Sequence, residues 1–342
     1  MSRIFIHGIG AVSPAGWGVP ALNRVIKDGA TLPVQTLVRP GWEKPLRVRT
    51  IPPPSSRPAF LAHPRLRRSG VMTHHIVAAA LEALGSDLAV GEGSRGRLGV
   101  IVCMMAGGVT YTRRFYEEVL REPATASPLV FPETVFNAPA SHLSAYLRSA
   151  TVSYTLVGDD GMFLQGLALA ADWLELGHAD ACLVVGAEEM DWIVADAVRL
   201  FRRGTIYTGG AGALYLKKDQ SAAVELKTVT DSFSFTQTQS RALVMRKMAS
   251  QLGEGAKEEL LCTGDEQPGM RDRYPGPHLA VKPLLGEAFV ASAAWQCVAG
   301  CAAVAQQQHP AALVSVSGTN QQAIGARFAV HHGSLTPPPP VR

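Results

Sequence analysis

An uncharged stretch of eighteen residues, Ala288 to Ala305, constrains the fold more than any other segment. Its length is that of a candidate membrane-spanning helix. Its residues are mainly Ala, Ser, Gln and Gly rather than Leu and Ile, a composition that suits a close-packed helix better than one in lipid. The stretch therefore predicts a central helix of a large core and no membrane span.

Segments typical of strands alternate with segments typical of helices. The continuous apolar run Leu98–Met104 predicts a strand covered on both faces, and His74–Leu84 has the three-to-four spacing of a packed helix. Further strands are predicted at Arg3–His7, Val152–Val157, Ala181–Gly186, Ala213–Leu216, Val224–Val229, Glu259–Cys262 and Leu313–Val316, and further helices at Leu164–Leu176, Ser240–Leu252 and Phe289–Ala305. Pro40–Pro64 is predicted to be a loop. This alternation indicates an α/β layered fold with mostly parallel sheets.

Composition sets the size of that fold. With 342 residues, 47% of them apolar, the chain has room for two domains or for one large domain of two halves. The net charge of +4 does not demand a nucleic-acid partner. Basic residues are concentrated between Arg39 and Arg68, where there are eight against the single acid Glu43. Such a run is either a solvated loop or a docking surface for an acidic partner.

The cysteines indicate a reducing compartment. There are five, with no CxxC pair and no His/Cys cluster at ligand spacing, so we expect no metal site. Their mostly apolar surroundings predict buried thiols that serve in packing. The opening MSRIFIHGIG lacks the apolar region and cleavage site of a signal peptide, so we expect a cytoplasmic protein.

Six segments, in order along nearly the whole chain, resemble the β-ketoacyl synthase family. They are Ile4–Gly16, Pro64–Leu84, Gly177–Glu189, Gly210–Leu216, Lys282–Gly286 and Val316–Asn320. The resemblance implies the thiolase fold: a dimeric five-layer αβαβα sandwich of two related α/β halves. We expect the halves at 1–217, with the Pro- and Arg-rich insert 39–68, and at 218–332, followed by a disordered tail at 333–342. It implies no cofactor.

A seventh segment, Val130–Leu143, resembles the dimer-interface stretch of synthase-like subunits from aryl-polyene and related type II polyketide clusters. This resemblance places six residues at a dimer interface near the acyl tunnel: Phe136, Asn137, Ala138, Pro139, Ala140 and His142.

The catalytic residues of such a synthase are missing. Condensation needs a cysteine nucleophile and two histidines that promote decarboxylation and stabilise an oxyanion. Neighbouring motifs place the cysteine position at Gly158, the first histidine at Thr263 and the second at Glu287, while the family's lysine remains as Lys282. An ionised Glu287 would repel a malonyl carboxylate. We expect Lys282 to pair with Glu287 or Asp159.

The adjacent Asp159 and Asp160 have two interpretations. They precede a predicted helix, so they could cap it and favour its N-terminal dipole. They could instead perform acid/base chemistry on a thioester without a covalent intermediate.

Three functions remain open. The chain resembles a chain length factor, which pairs with an active ketosynthase, has no catalytic residues of its own and shapes the acyl tunnel. Alternatively, it is a thioester enzyme or acyltransferase of altered, cysteine-independent chemistry, or a homodimeric carrier-binding scaffold. An acidic acyl carrier protein is the partner implied for Arg65, Arg67 and Arg68, which precede the helix near Met72.

Overall fold

Strands and helices alternate through most of the chain, as the apolar pattern predicts. The computed structural model describes residues 3–39, 41–88, 96–148, 150–265, 267, 270, 273–319 and 322–331. Its strands are β1 (Ile4–Ser13), β2 (Gly16–Trp17), β3 (Gln35–Leu37), β4 (Leu46–Val48), β5 (Leu98–Met104), β6 (Ala150–Val157), β7 (Ala181–Glu188), β8 (Gly210–Lys217), β9 (Val224–Val229), β10 (Phe233–Ser234), β11 (Leu260–Thr263), β12 (His278–Ala280), β13 (Ala311–Ser317) and β14 (Gln322–Val330). Its α-helices are α1 (Val19–Asp28), α2 (Val71–Leu84), α3 (Val109–Arg121), α4 (Ala138–Leu147), α5 (Met162–Glu175), α6 (Trp192–Phe201), α7 (Arg241–Leu252), α8 (Val281–Leu285) and α9 (Phe289–Ala305).

The main sheet has two halves with the same strand order. The first runs β6-β5-β7-β8-β1 and the second β12-β11-β13-β14-β9. In each half the first three strands are parallel, and the last two pair antiparallel with their neighbours. The two halves join where β1 pairs antiparallel with β9. The sheets are therefore mixed rather than mostly parallel, because β8 and β14 return against the strands that precede them.

Helices cover both outer faces of this sheet and fill the space between its halves. α2 and α4 pack on the outer face of the first half, and α7 packs on that of the second. α5 and α9 lie between the halves, where α9 contacts β7 and β8 on one side and β11 and β13 on the other. This order gives five layers, α/β/α/β/α, and confirms the fold class predicted from the sequence.

The central helix α9 is buried along almost its whole length. Every residue from Phe289 to Val304 is buried, which the uncharged composition of the segment predicts. Small side chains let the two sheets approach it closely: a Cβ atom added at Gly212 of β8 would lie 2.8 Å from that of Ala294. Within the described residues, no helix is long and apolar enough to cross a membrane.

Two glycines of β1 allow α2 to rest directly on the sheet. A Cβ atom at Gly8 or Gly10 would lie within about 2 Å of a carbonyl oxygen of α2, at 1.8 Å from Ala83 and 2.0 Å from Ala79. Any larger residue would therefore push the helix off the strand. The glycines of the opening motif thus serve helix-to-strand packing.

Three other sequence predictions have different outcomes. The Pro-rich insert is not loop throughout, because β4 within it pairs with β3 and buries Leu46 and Val48. The strand order repeats on either side of the predicted boundary between 1–217 and 218–332, and the boundary itself stays a prediction. The predicted disordered tail at 333–342 lies outside the described residues.

Candidate functional site

The turn between β6 and α5 brings two buried aspartates to the junction of the two halves. β6 ends at Val157 and α5 begins at Met162. Asp159 and Asp160, in the turn, are only 4% and 1% exposed. Burial of two adjacent carboxylates is costly unless each is paired or hydrogen-bonded, so the contacts of each define the site.

Asp159 binds the backbone of the second half. Its carboxylate accepts the N–H of Thr319 at 2.9 Å and the N–H of Gln322 at 3.3 Å. A Cβ atom at Gly318 would lie 1.8 Å from Asp159 Oδ2, so this contact requires glycine there. The interpretation of the aspartates as side-chain caps is wrong, because α5 begins after Gly161 with no side-chain cap hydrogen bond.

Asp160 begins a chain of alternating charges that runs from the interior to the surface. Lys282 Nζ lies 2.9 Å from Asp160 Oδ2 and 2.8 Å from Glu287 Oε2. Arg202 Nη1 approaches Glu287 Oε2 at 3.0 Å and Asp265 Oδ2 at 3.9 Å. Lys282 therefore pairs with Glu287, one of the two partners expected from the sequence, and with Asp160 in place of Asp159. We call Asp160, Lys282 and Glu287 the acid–lysine cluster.

Protonation in the acid–lysine cluster follows from burial and charge together. Burial alone would raise the pKa of Asp160, but the charge of Lys282 and hydrogen bonds from Lys282 and Thr319 outweigh it and lower that pKa. Burial opposes the charge on Lys282, yet both carboxylates together raise its pKa. Burial raises the pKa of Glu287. Lys282 therefore stays charged, and Asp160 is its ionised partner.

Gly158, the predicted nucleophile position, lies just outside the acid–lysine cluster. Its N–H donates to the carbonyl of Met104 at 3.0 Å, and a Cβ atom there would lie 2.9 Å from Met162 Cγ. A side chain at Gly158 would therefore contact Met162, whereas the side chain of Asp160 contacts Lys282.

Thr263, at the predicted position of the first histidine, ends β11 and is fully buried. Its hydroxyl donates to the carbonyl of Asp265 at 2.8 Å and lies 2.7 Å from Nε2 of His278, on the adjacent strand β12. His278 precedes the family-like lysine motif without matching it, so sequence reasoning missed it. Only the parallel register of β11 and β12 brings it to Thr263.

Burial raises the pKa of every cysteine thiol in the chain. All five are free and buried: Cys103, Cys182, Cys262, Cys297 and Cys301. Burial raises the pKa of Cys182 and of Cys262 to about 12, so neither is a thiolate at neutral pH. In the described part of the chain, no group of three His, Cys, Asp or Glu side chains could hold a metal ion.

A cavity of about 1230 Å³ opens from the acid–lysine cluster to the surface of the second half. Asp160, Lys282 and Gln296 form its buried floor, and Arg202 reaches its wall from the end of α6. None of the five cysteines lines it. The floor thus presents an ion pair and an amide and lacks a thiol nucleophile.

The free edge of the sheet forms a separate candidate surface. β6 ends the sheet, pairing only with β5 among the described strands. Its Tyr154 and Val157 are 53% and 46% exposed. Phe136, before α4, is 45% exposed and packs against Gly107, where a Cβ atom would lie 2.6 Å from the ring. We call this edge, with Phe136 and Asn137, the edge surface.

The predicted interface residues divide between this surface and the interior. Phe136 and Asn137 are exposed, whereas Ala138, Pro139 and Ala140 are buried against their own chain. His142 is half-buried, with Nε2 2.8 Å from a carboxylate oxygen of Glu133. Only the exposed members can contact a partner without rearrangement.

The three predicted docking arginines are all exposed. Arg65, Arg67 and Arg68 lie at and just after a 3₁₀ turn, Pro64–Leu66, that packs on α4. None of their guanidinium groups makes an ion pair with a described residue. The loop is held instead through its backbone, since the Tyr111 hydroxyl donates to the carbonyl of Arg68.

No protein-family model matches the chain. Among curated proteins it is similar to a putative mitochondrial 3-oxoacyl-[acyl-carrier-protein] synthase of Schizosaccharomyces pombe (strain 972), with 24% identity over 198 residues. The match spans 55% of this chain and 46% of that protein, so it covers about half the length of the relative.

Solved structures are similar over almost the whole chain. A type II polyketide ketosynthase complex with its acyl-carrier protein, AntDE:AntF, matches with a TM-score of 0.80 and 17% identity, covering 96% of this chain and 99% of that one. A β-ketoacyl synthase from Burkholderia phymatum STM815 matches with a TM-score of 0.80 and 15% identity, covering 97% of this chain and 100% of that one. The ketosynthase ApeO in complex with its chain length factor ApeC, from Xenorhabdus doucetiae, matches with a TM-score of 0.78 and 13% identity. The match covers 96% of this chain and 98% of that one. The chain therefore has the thiolase fold of the ketosynthases.

Proposed function

We propose that this thiolase-fold chain is a non-catalytic ketosynthase-like subunit of polyketide or fatty-acid-like synthesis, of the aryl-polyene type. It pairs with an active β-ketoacyl synthase and helps to shape the acyl tunnel. One observation carries the proposal: the cavity floor has the Asp160–Lys282 ion pair, 2.9 Å long, and no cysteine. A carboxylate held by a lysine cannot replace a thiolate in forming an acyl-enzyme that passes its acyl group to a new carbon–carbon bond.

The same contacts argue against acid/base catalysis by the cluster. A general base needs a pKa near the working pH and an accessible proton site. Asp160 has a lowered pKa and accepts from both Lys282 and Thr319. Glu287 is held by Lys282, by Arg202 and by the N–H of Phe289. Each carboxylate is already bonded, which favours a structural role.

The edge surface supports pairing with another subunit. An unpaired strand edge with exposed Tyr and Val side chains invites association, and large dimer interfaces of this kind are apolar at their centre. Two of the similar structures are themselves assemblies, a ketosynthase with its chain length factor and a ketosynthase with its carrier protein. We extend both kinds of partner, a synthase and an acyl carrier protein, to this chain as proposals.

The test is co-expression with a candidate synthase. We expect the two chains to co-elute from gel filtration, the chain alone to form no carbon–carbon bond from acyl and malonyl thioesters, and the complex to form one. Phe136→Glu and Tyr154→Glu, both at exposed positions, should abolish co-elution. Ala138 and Ala140 are unsuitable for this test, because a charge at either buried position would disturb folding.

Leu176→Glu is the matched control, since Leu176 is 70% exposed at the end of α5 and lies outside the edge surface. It should leave co-elution unchanged. Condensation or any acyl-thioester turnover by the chain alone would contradict the proposal and favour an enzyme of altered chemistry. A homodimer that ignores every synthase would favour a scaffold.

A further inference from the structure

Helix α3 is attached to the fold differently from the other described α-helices. Each of the others buries at least one residue, whereas α3 buries none. The structure describes the whole of 108–129, and no residue in this range is buried, although Gly107 and Val130 on either side are. The main neighbours of α3 are two short 3₁₀ turns that follow it, Pro123–Thr125 and Phe131–Glu133. Burial of apolar side chains usually holds a helix in place, so α3 depends on other contacts.

Polar contacts at its first two turns hold α3 to the rest of the protein. The N–H of Thr110 donates to a carboxylate oxygen of Glu189 at 3.0 Å. Arg113 Nη2 lies 3.1 Å from Asp191 Oδ2. The hydroxyl of Tyr111 adds the hydrogen bond to the loop of docking arginines described above. Glu189 and Asp191 are buried between β7 and α6, so the acidic side of this attachment is fixed. We call these three contacts the clasp.

Two glycines form a hinge before α3. The residues that precede them are held firmly, because the fully buried Glu188 accepts the N–H groups of Met105 and Ala106. Gly107 has a φ of 72°, in the left-handed region that favours glycine, and Gly108 follows it. A pair of glycines between a fixed turn and a helix without buried residues can absorb a change in backbone dihedral angles.

The segment after α3 folds back onto the helix. The N–H of Ser127 donates to Glu118 Oε2 at 3.0 Å, so these residues travel with α3. Val130, which is 4% exposed, is the first buried residue after the helix and marks the far end of the segment. One aromatic contact crosses this boundary, between Phe115 and Phe131, whose ring centroids are 5.4 Å apart.

We propose that residues 109–129 form a strap that opens and closes as a unit about Gly107 and Gly108, while both halves of the fold stay folded. Few buried apolar contacts and a polar attachment are typical of a segment with low local stability. The strap lies beside the edge surface, because Phe136 packs on Gly107, so its position changes the surface that the chain presents to another protein. The proposal goes beyond pairing with a synthase and does not rest on it, because it concerns this chain alone.

The test is hydrogen exchange of the full-length chain, followed by mass spectrometry with fragmentation to single residues. The opening constant is the ratio of open to closed populations at each amide. We expect the amides of α3 to share one opening constant, about a hundredfold larger than those of α5 and α9. A helix that only frays would give constants that fall from its ends to its centre. Such a gradient, or protection of α3 equal to that of α5, overturns the proposal.

Two neighbouring arginines test the clasp. Arg113→Met removes the ion pair with Asp191 and should raise the opening constant of the strap about tenfold, with α5 unchanged. Arg114→Met is the matched control, because Arg114 pairs with Glu118 inside α3 itself, and the constant should stay within about twofold. Equal effects of the two variants overturn the proposal. Loss of protection in α5 along with α3 also overturns it, because the strap would then not be a separate unit.

A second variant keeps the test independent of any harm done by Arg113→Met. Asp191→Asn retains an oxygen that can accept the N–H of Ile193 at the start of α6, and should loosen the strap in the same direction. Because both changes remove one contact, the double variant should open no more than about twofold further than Arg113→Met alone. Effects that multiply in the double variant would show that this ion pair does not hold the strap. The assay needs no synthase, so its failure is distinct from a failure of pairing.

Discussion

The acid–lysine cluster and the edge surface differ in whether their groups have partners within the chain. In the cluster every charged group has a partner at ordinary ion-pair distance, and all three side chains are buried. At the edge surface, backbone groups of a terminal strand and the exposed rings of Phe136 and Tyr154 have no covering layer among the described residues. The charges of the cluster are paired within one chain, whereas the strand edge is left uncovered.

This difference separates the part of the fold whose charges are paired within one chain from the part that stays exposed. A buried ion pair closes the floor and contributes specificity of packing rather than chemistry. An apolar strand edge is a liability for an isolated protein and is retained where another chain covers it. The comparison predicts that changes in the cluster affect folding and reactivity, whereas changes at the outer surface affect association.

The largest expected effect is on stability, from Lys282→Met. Removing the lysine leaves Asp160 and Glu287 buried with fewer partners, and breaking a buried pair in this way costs about 3–5 kcal/mol. Urea denaturation should show a corresponding fall in the free energy of unfolding. Lys218→Met, at an exposed position just after β8, should change it by less than about 0.5 kcal/mol. Similar small losses in both variants would show that the cluster is not a closed unit.

An intermediate effect is expected on thiol reactivity, comparing Asp160→Cys with Gly158→Cys. A thiol at 160 would lie beside Lys282, whose charge lowers a thiol pKa, whereas a thiol at 158 would lie against Met162. Iodoacetamide should therefore alkylate the 160 variant about tenfold faster.

Neither cysteine variant should restore condensation. Thr263 and Glu287 cannot supply the two histidine roles, and Glu287 remains beside the lysine. Faster alkylation of the Gly158→Cys variant would contradict the prediction and show that position 158, rather than 160, is the more reactive place for a thiol. Carbon–carbon bond formation by either single variant would mean that the two histidine positions are wrongly assigned.

The smallest effect is expected at the arginine loop beside α4. Exposed ion pairs contribute about 0–1 kcal/mol each, so Arg65→Ala/Arg67→Ala/Arg68→Ala should lower the affinity for an acidic carrier protein modestly and reduce its salt dependence. The measurement is carrier binding by the complex with its synthase at low and moderate salt. Unchanged affinity and salt dependence would identify these residues as a solvated loop.

Much of the fold could be predicted because it depends on long, regular patterns. The uncharged Ala288–Ala305 segment and the apolar run Leu98–Met104 each have one physical solution, a buried central helix and a buried central strand. The β3–β4 hairpin was not predictable, since three-residue strands leave no periodicity and prolines surround it. Helix α3 was missed because none of its residues is fully buried, so no continuous apolar run marks it.

The candidate site could be predicted only in part. Lys282 and Glu287 are close together in the sequence, so their pairing could be expected from the local sequence alone. The expected partner of Lys282 in the other half, Asp159, was wrong: adjacent residues of a turn point in different directions, and Asp160 is the one that reaches the lysine. Arg202, His278 and Gln296 reach the site only through tertiary packing, and nothing in their own neighbourhoods signals it.

The antiparallel junction of β1 with β9 has a consequence for how the chain acquires its structure. β1 leaves the ribosome long before its two long sheet neighbours, because β8 and β9 both come from beyond residue 209. Arg3 and Glu225, which close this junction with an ion pair, are 222 positions apart in the sequence. Contacts between such distant segments form slowly. An apolar strand is prone to misassociation until the strands that pair with it have been synthesised. The opening strand is therefore the segment through which synthesis rate and chaperone capture should most affect the yield of native protein.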